Sequence, residues 1–372
     1  MDGTQPASRR CPGRTARDLA CVDQHAAGWA PGAHGPGAAG DGVKRRSLRL
    51  GPGGEFDRLR AIFATLDAAG HDLGDDCALL PVGGRTLAIS IDLSLEAVHF
   101  RTDWLSFREI GWRATAAALS DLAAEGAEPI GVLVSLGLPG NGRGRGKGRP
   151  DPATEIMTGV GAAAQRVGAR VLGGDLVRST RYLVDVCVLG LAARPVRRSG
   201  ARPGDGVWVT GRLGGAGLAL AALRAGRGAR GGRGGRLAPA LRRRFARPVP
   251  RIAAGRWLAR RGARAMIDIS DGLAGDAGHL AAASGVGIAI ELECVPCWPG
   301  VTPRAAARSG EEYELLVAMP RSFGTAGARA FRRATGLPLT RIGACTAGRG
   351  LGITDGGRLI TPPPGFDHFP AR

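Results

Sequence analysis

The sequence predicts a mixed α/β protein of two domains, and three observations carry that expectation. Helical and strand periodicities alternate in both halves of the chain. A strand that presents Ser and Asp on one face occurs twice, at Thr86 to Asp92 and at Met266 to Ser270. A length of 372 residues with 44% hydrophobic content is enough to bury two ordinary cores. The expected divisions are a Gly/Arg-rich extension over 1–54, read as disordered, a first α/β domain over 55–195 and a second over 200–372. The Pro-, Gly- and Arg-rich stretch from Arg194 to Gly204 marks the boundary between the two.

The elements follow in order. Phe56, Leu59, Ile62, Phe63 and Leu66 recur at helical spacing and predict a first amphipathic helix, followed by a Gly-Asp-Asp turn at Gly74. In the strand from Thr86 to Asp92, Leu87, Ile89 and Ile91 share one face, read as facing the core, while Ala88, Ser90 and Asp92 share the other. The next helix, from about Phe107 to Gly126, buries Ile110, Ala114, Ala117 and Ala118, and Asp121 falls about 20° from Ile110 on that stripe. A carboxylate on an apolar face calls for a metal or cationic partner, because an unpaired buried charge costs several kcal/mol.

Strand Ile130 to Leu138, helix Ala153 to Val167 and strands Arg170 to Leu172 and Tyr182 to Leu191 complete the first unit. The second unit opens with strand Val207 to Thr210 and the glycines 211, 214, 215 and 217, ahead of a helix near Leu218. Those glycines could bring amides to a phosphate or make a plain tight turn, and their spacing fits neither a dinucleotide fingerprint nor a P-loop. Gly146-Lys147 fails as a P-loop as well, with Asn141 and Gly148 at positions that need Gly and Ser or Thr. After Met266 to Ser270, Asp271-Gly272 turns into a helix buried through Leu273, Ala277 and Leu280. Strands Ile288 to Glu293 and Tyr313 to Met319, a helix near Phe323 to Thr335 and short strands finish the chain.

Aspartates therefore stand at the ends of several strands, which suggests hard divalent cations and, with them, nucleotide phosphates. The formal net charge of +19 does not point to nucleic acid, because the excess lies in 1–54, 141–149 and 224–251, read as terminal and linker segments. The Arg-Gly run at Arg230 has no interleaved aromatics for base stacking, so specific RNA binding is not expected. Seven cysteines, odd in number and widely spaced, do not form a disulfide framework, and Cys294 and Cys297 have no companion ligands at zinc spacing. No run is long and apolar enough for a membrane span and no secretory leader is visible, so a cytoplasmic protein with no membrane partner is expected.

Ten segments in order resemble the thiamine-monophosphate kinase family: Gly54-Glu-Phe56, Gly74-Asp-Asp-Cys-Ala78, Val98-His-Phe100, Leu119-Ser-Asp-Leu-Ala123, Gly173-Gly-Asp175, Arg198-Ser-Gly-Ala-Arg-Pro-Gly-Asp205, Arg247-Pro-Val-Pro-Arg251, Asp268-Ile-Ser-Asp-Gly272, Gly310-Glu-Glu-Tyr-Glu-Leu315 and Gly365-Phe-Asp-His-Phe369. The resemblance implies two domains of the aminoimidazole ribonucleotide synthetase-like type, with the N-terminal domains pairing into a homodimer through a β-barrel. It implies ATP- and magnesium-dependent phosphorylation of thiamine monophosphate to thiamine diphosphate. Carried over by residue, it makes Asp76, Ser90, Asp92, Asp121, Asp175, Asp268 and Asp271 magnesium ligands, Gly174, Arg198 and Ser270 nucleotide contacts, and His99, Glu311 and Phe366 contacts to the thiamine phosphate. No catalytic nucleophile or base is implied. A phosphate acceptor with a second pKa of about 6 is already mostly dianionic at neutral pH and needs charge neutralisation instead.

The pattern departs from the family at Ile91, where Thr is common, at Leu176 and Val177, where hydroxyl residues follow Gly-Gly-Asp, and at Ser309, which replaces a glycine. Other ATP-dependent enzymes of the superfamily, such as aminoimidazole ribonucleotide synthetase, hydrogenase maturation proteins and selenophosphate synthetase, are the alternative. The Glu-Glu-Tyr-Glu-Leu and Phe-Asp-His-Phe segments favour the thiamine enzyme. A reactive cysteine that the latter two would want is not evident, since Cys77 belongs to the Gly74 motif.

Overall fold

The computed structural model describes residues 47–66, 69–70, 72–140, 150–228 and 236–369. The expected extension up to residue 46, the Gly146-Lys147 segment and the Arg-Gly run at 229–235 lie outside the described residues. The rest forms two sheets. The first has the order β1-β2-β5-β3-β4, from β1 (Ala78–Val82), β2 (Arg85–Leu95), β3 (Glu128–Pro139), β4 (Arg170–Ser179) and β5 (Leu183–Ala192). The second has the order β12-β11-β8-β10-β6-β9-β7, from β6 (Gly206–Thr210), β7 (Ala265–Asp268), β8 (Gly287–Glu291), β9 (Leu315–Met319), β10 (Leu339–Thr346), β11 (Gly350–Asp355) and β12 (Arg358–Ile360). The first sheet is open, with β1 and β4 at its edges.

Helix α2 (Phe107–Ala124) lies between the two sheets and organises both. Ser106 caps its N-terminus in a reciprocal box with Glu109, so its start is fixed by local chemistry. Of its 18 residues 13 are buried, which is why it reads as apolar nearly all round rather than on one stripe. It crosses α3 (Pro152–Arg166) at Gly111 and Gly159, where an added Cβ would fall 2.0 Å from the carbonyl of Ile156 or of Arg108. Only glycine permits that approach.

One apolar cluster spans α2, the inner face of the first sheet and helices α5 (Pro239–Ala246), α6 (Ile252–Arg260) and α9 (Gly324–Thr335), through Leu119, Val186, Phe245, Leu258 and Phe331. A second lies between the other face of the second sheet and α7 (Leu273–Ser284), through Ile267, Leu280 and Ile288. The first cluster thus crosses the chain division between Ala192 and Gly206.

Two expectations need correction. Ile91 does not face the core: it is 66% exposed, as Leu93 is 46% exposed, whereas Ala88 and Ser94 on the opposite face are buried. The inner face of β2 packs on α2, whose small side chains accept Ala and Ser, so the apolar alternation marks the outer face. The segment 224–251 is not only solvated linker. Its arginines build α5 and the start of α6, where Arg244 pairs with Glu312 and Glu314, Arg251 with Glu314, and Arg242 with Glu109. These short helices were not legible, because their arginines read as charge runs.

Candidate active site

The acidic cluster forms where three elements meet. Asp76 precedes β1, Asp121 sits in the last turns of α2, and Asp268 ends β7. Their carboxylate oxygens lie within 4.8 Å of one another. Burial and the neighbouring Asp268 and Asp76 push the Asp121 carboxyl well above its ordinary range, and burial with Asp76 pushes Asp268 up to about 7. Like charges brought together in a desolvated site favour protons unless cations replace them. Ser90 donates from Oγ to Asp121 Oδ2 at 2.6 Å, which orients the central carboxylate.

Asp121 and Asp268 line a cleft of 1160 Å³ together with Asp92, His99, Ser270, Asp271, Glu311 and Phe366. Asp92, from the inner face of β2, is raised to about 6 by burial and by Glu311, and Asp271 to about 6 by burial and by Glu55. His99 accepts the Leu95 N–H at Nδ1, 3.1 Å away, so its proton resides on Nε2. Burial and His368 lower its pKa and keep it neutral. Glu311 has a left-handed backbone, φ 59°, and its side chain pairs with the buried Arg113. A non-glycine residue held there is a mark of functional constraint. Phe366 is 53% exposed at the cleft, with its N–H donated to the Asp271 carbonyl at 2.8 Å. His368 bridges it to His99, with ring centroids 4.7 and 5.2 Å away.

Arg198 is beside the cluster, where Nη2 donates to Asp76 Oδ1 at 2.8 Å. Its guanidinium is thus engaged by a carboxylate of the cluster. Asp175 and Gly174 are not brought to it. They lie on the exposed edge strand β4, which β3 and β5 separate from β2. Cross-strand register puts Leu93, Asp185, Ser135 and Asp175 in one row on the outer face. Three strand spacings make about 14 Å, too far for Asp175 to share an ion with Asp92 of the same chain. Gly174 has a steric reason of its own, since a Cβ there would meet the Val134 carbonyl at 1.8 Å.

The glycine turn after β6 holds no free phosphate cradle. Gly214 and Ala216 N–H donate to Glu312 Oε1 at 2.8 and 3.0 Å, and Gly217 N–H donates to Ser309 Oγ at 2.9 Å. A carboxylate of the chain itself occupies the N-terminus of α4 (Gly215–Arg224), and Ser309, the departure from glycine, is part of that device. Glu314 receives Arg251 at 2.8 Å and the Thr210 hydroxyl at 2.7 Å, so the Glu-Glu-Tyr-Glu segment splits into two cleft residues, Glu311 and Tyr313, and two buried ion-pair partners, Glu312 and Glu314. Gly54-Glu-Phe56 and the C-terminal motif meet directly, because Asp367 accepts the Gly54 and Glu55 N–H groups at 2.7 and 3.2 Å and caps α1 (Gly54–Leu66). Cys77 is buried and its thiol is pushed well up by burial and Glu125, which removes it as a reactive group. Sequence reasoning missed Arg113, His368 and Glu125; the only trace of Arg113 is a charge on the buried face of an apolar helix.

Two family models match the chain: AIR synthase related protein, N-terminal domain, over residues 74–192, and its C-terminal domain over residues 202–356. A thiamine-monophosphate kinase of Salmonella typhimurium is 34% identical over 84% of this chain and 95% of its own length. Among solved structures, AaThiL complexed with AMPPCP and TMP superposes with a TM-score of 0.72 at 30% identity, covering 85% of this chain and 97% of that one. A HypE-HypF complex superposes at 0.63 with 17% identity over 84% of this chain and all of that one, which is likeness of fold alone.

Proposed function

The chain belongs to the thiamine-monophosphate kinase family, and from that membership we propose that it transfers the γ-phosphoryl group of ATP to thiamine monophosphate, giving thiamine diphosphate. The observation that carries the reading is the meeting of Asp76, Asp121 and Asp268 within 4.8 Å at a cleft that also presents His99, Glu311 and Phe366. The donor set fits magnesium: hard, desolvated carboxylates whose ordinary charge the protein alone does not stabilise. Asp76, Asp121 and Asp268 would hold it, with Asp92, Asp271 and Ser270 at the margin of the cleft and Ser90 hydrogen-bonded to Asp121. Bound there, magnesium would neutralise the facing phosphates of donor and acceptor.

The residues of the chain bind and orient. Arg198 steadies Asp76 and offers a cation beside the nucleotide phosphates. His99 Nε2–H is a neutral donor for the acceptor, Glu311 is held in place by Arg113, and the Phe366 face can stack on the cationic thiazolium. The acceptor phosphate is itself the nucleophile, so we infer direct in-line transfer with no phospho-enzyme.

We also propose a homodimer. The outer face of the first sheet is rich in exposed apolar side chains, Ile91, Leu93, Leu133 and Val177 among them, and a second copy would cover it. Two such faces together would give the barrel that the family resemblance implies. Asp175 stands on that face and would serve a cleft only from the second copy. The working division remains 55–195 for the dimerising domain and 200–372 for the second, with action in the cytoplasm.

The test is a steady-state assay with ATP, magnesium and thiamine monophosphate, detecting thiamine diphosphate. Magnesium-dependent product from wild type, and its near-loss in Asp121→Asn, is the expected result. A folded wild type that makes none while consuming ATP with a different acceptor overturns the thiamine reading and keeps the fold.

A further inference from the structure

A second group of carboxylates contains two members, Asp75 and Glu125, with no role in the reading above. Asp75, Asp76 and Glu125 bring oxygens within 4.8 Å of one another, with only Asp76 shared with the first group. Glu125 is the more telling member. It is fully buried, and both its carboxylate oxygens lack any hydrogen-bond partner. It also caps the C-terminus of α2, the negative end of the helix dipole, where a carboxylate is disfavoured and a cation is favoured. Leaving such a group buried and unmatched is strongly unfavourable.

The neighbouring arginines do not satisfy it. Asp75 Oδ1 accepts the Arg198 backbone N–H at 2.9 Å, and Asp76 Oδ1 accepts Arg198 Nη2 at 2.8 Å. Arg197 Nε approaches Asp75 Oδ2 only to 3.5 Å. What remains unpartnered is Asp75 Oδ2, Asp76 Oδ2 and both oxygens of Glu125, four hard donors from three side chains. Two guanidiniums serve these three carboxylates, and Arg197 is shared with Asp72 at 3.2 Å, so the group is short of positive charge even before Asp121 is counted.

We propose that Asp75, Asp76 and Glu125 form a binding site for a divalent hard cation of the magnesium class, separate from the ions that would accompany the nucleotide. Such an ion ties the start of β1 to the end of α2 and to the Arg197-Arg198 segment. It thereby sets the orientation of Asp76, which the cleft also uses. The site needs neither nucleotide nor acceptor.

The experiment is a manganese titration of the full-length, nucleotide-free protein followed by electron paramagnetic resonance, with thermal unfolding measured in parallel. Wild type is compared with Glu125→Gln, Glu125→Met and Asp121→Asn. The expected result is that Glu125→Gln binds one manganese ion fewer than wild type and gains less in Tm on saturation, while Asp121→Asn retains the ion that Glu125→Gln loses. Glu125→Met, which fills the same space without charge, should fold and show the same deficit, so the loss is not a folding artefact. Equal ion counts and equal Tm shifts in wild type and a folded Glu125→Gln or Glu125→Met overturn the proposal, as does a wild type that takes up no manganese without nucleotide. Because neither ATP nor thiamine phosphate is present, failure here is distinct from failure of the kinase reading.

Discussion

Strands β2 and β7 use the same device in different settings. Each presents a carboxylate to the cleft, Asp92 from β2 and Asp268 from β7. In β7 every residue is buried, with Met266 packed into one apolar cluster and Ile267 into the other. In β2 the Ala88 side is buried against α2 while Ile91 and Leu93 stand in the open. The second sheet is covered on both faces and supplies stability. The first is covered on one face and leaves the other open. The difference teaches that alternation identifies two faces of a strand but not which of them is inside, because that depends on what packs against it.

The largest effect expected from either side is on chemistry. Asp121→Asn and Asp268→Asn should each lower kcat by about a thousandfold or more, since each removes a carboxylate that would hold the cation the phosphates need. In magnesium-free buffer both variants should have a Tm equal to or above wild type, because each replaces a buried carboxyl whose charge is opposed by burial and by its acidic neighbours. A variant that loses both activity and Tm would show that the cluster is structural.

The second prediction probes the open face. Ile91→Glu should shift the protein toward monomer in sedimentation, while a polar substitution in buried β7 should unfold it instead. Asp175→Asn and Asp121→Asn chains, each inactive alone, should regain about a quarter of wild-type activity when dissociated and re-paired at random, because half the dimers then hold one intact site. Recovery of nothing would mean that Asp175 acts within its own chain or not at all.

A smaller effect separates the two settings by pH. Asp268 rises to about 7, and Asp92 and Asp271 to about 6, from an ordinary 3.8. Between those values the folded protein binds more protons than the unfolded chain, so these groups stabilise it at low pH and that contribution falls as pH rises from about 4 to about 7. Magnesium competes with the same protons, so the Tm gain it gives should be larger near pH 8 than near pH 5. Thermal scans with and without magnesium at both values check this, and a gain independent of pH would count against the carboxylates as its site.

The legible part of the molecule was what local chemistry fixes. The burial of α2 follows from spacing, and Asp121 stood out because a carboxylate lay on an apolar face. Asp76, Asp268 and Asp271 were legible as turn and strand-end aspartates. The rest depends on contacts between distant segments. Glu312 was read with Glu311 as one motif, yet it binds the amides before α4 while Glu311 faces Arg113. Asp175 carried a family role, but its strand lies at the far edge of the sheet, and strand order is not written in periodicity.

The smallest expected effect is at Phe366. Its backbone is pinned by Asp271 and its ring edge by His368, but the ring itself is half open to solvent, so its removal leaves no cavity in either apolar cluster. Phe366→Ala should therefore leave Tm unchanged. If the ring stacks on the thiazolium, the loss is about 0.5 to 2 kcal/mol of binding, seen as a rise in KM for thiamine monophosphate of up to about thirtyfold with kcat and the KM for ATP little altered. Phe366→Tyr should restore most of it, since the stacking face is retained. A fall in kcat without a change in KM would instead place the ring among the groups that align the two phosphates, and would move the thiazolium contact to His99 or Glu311.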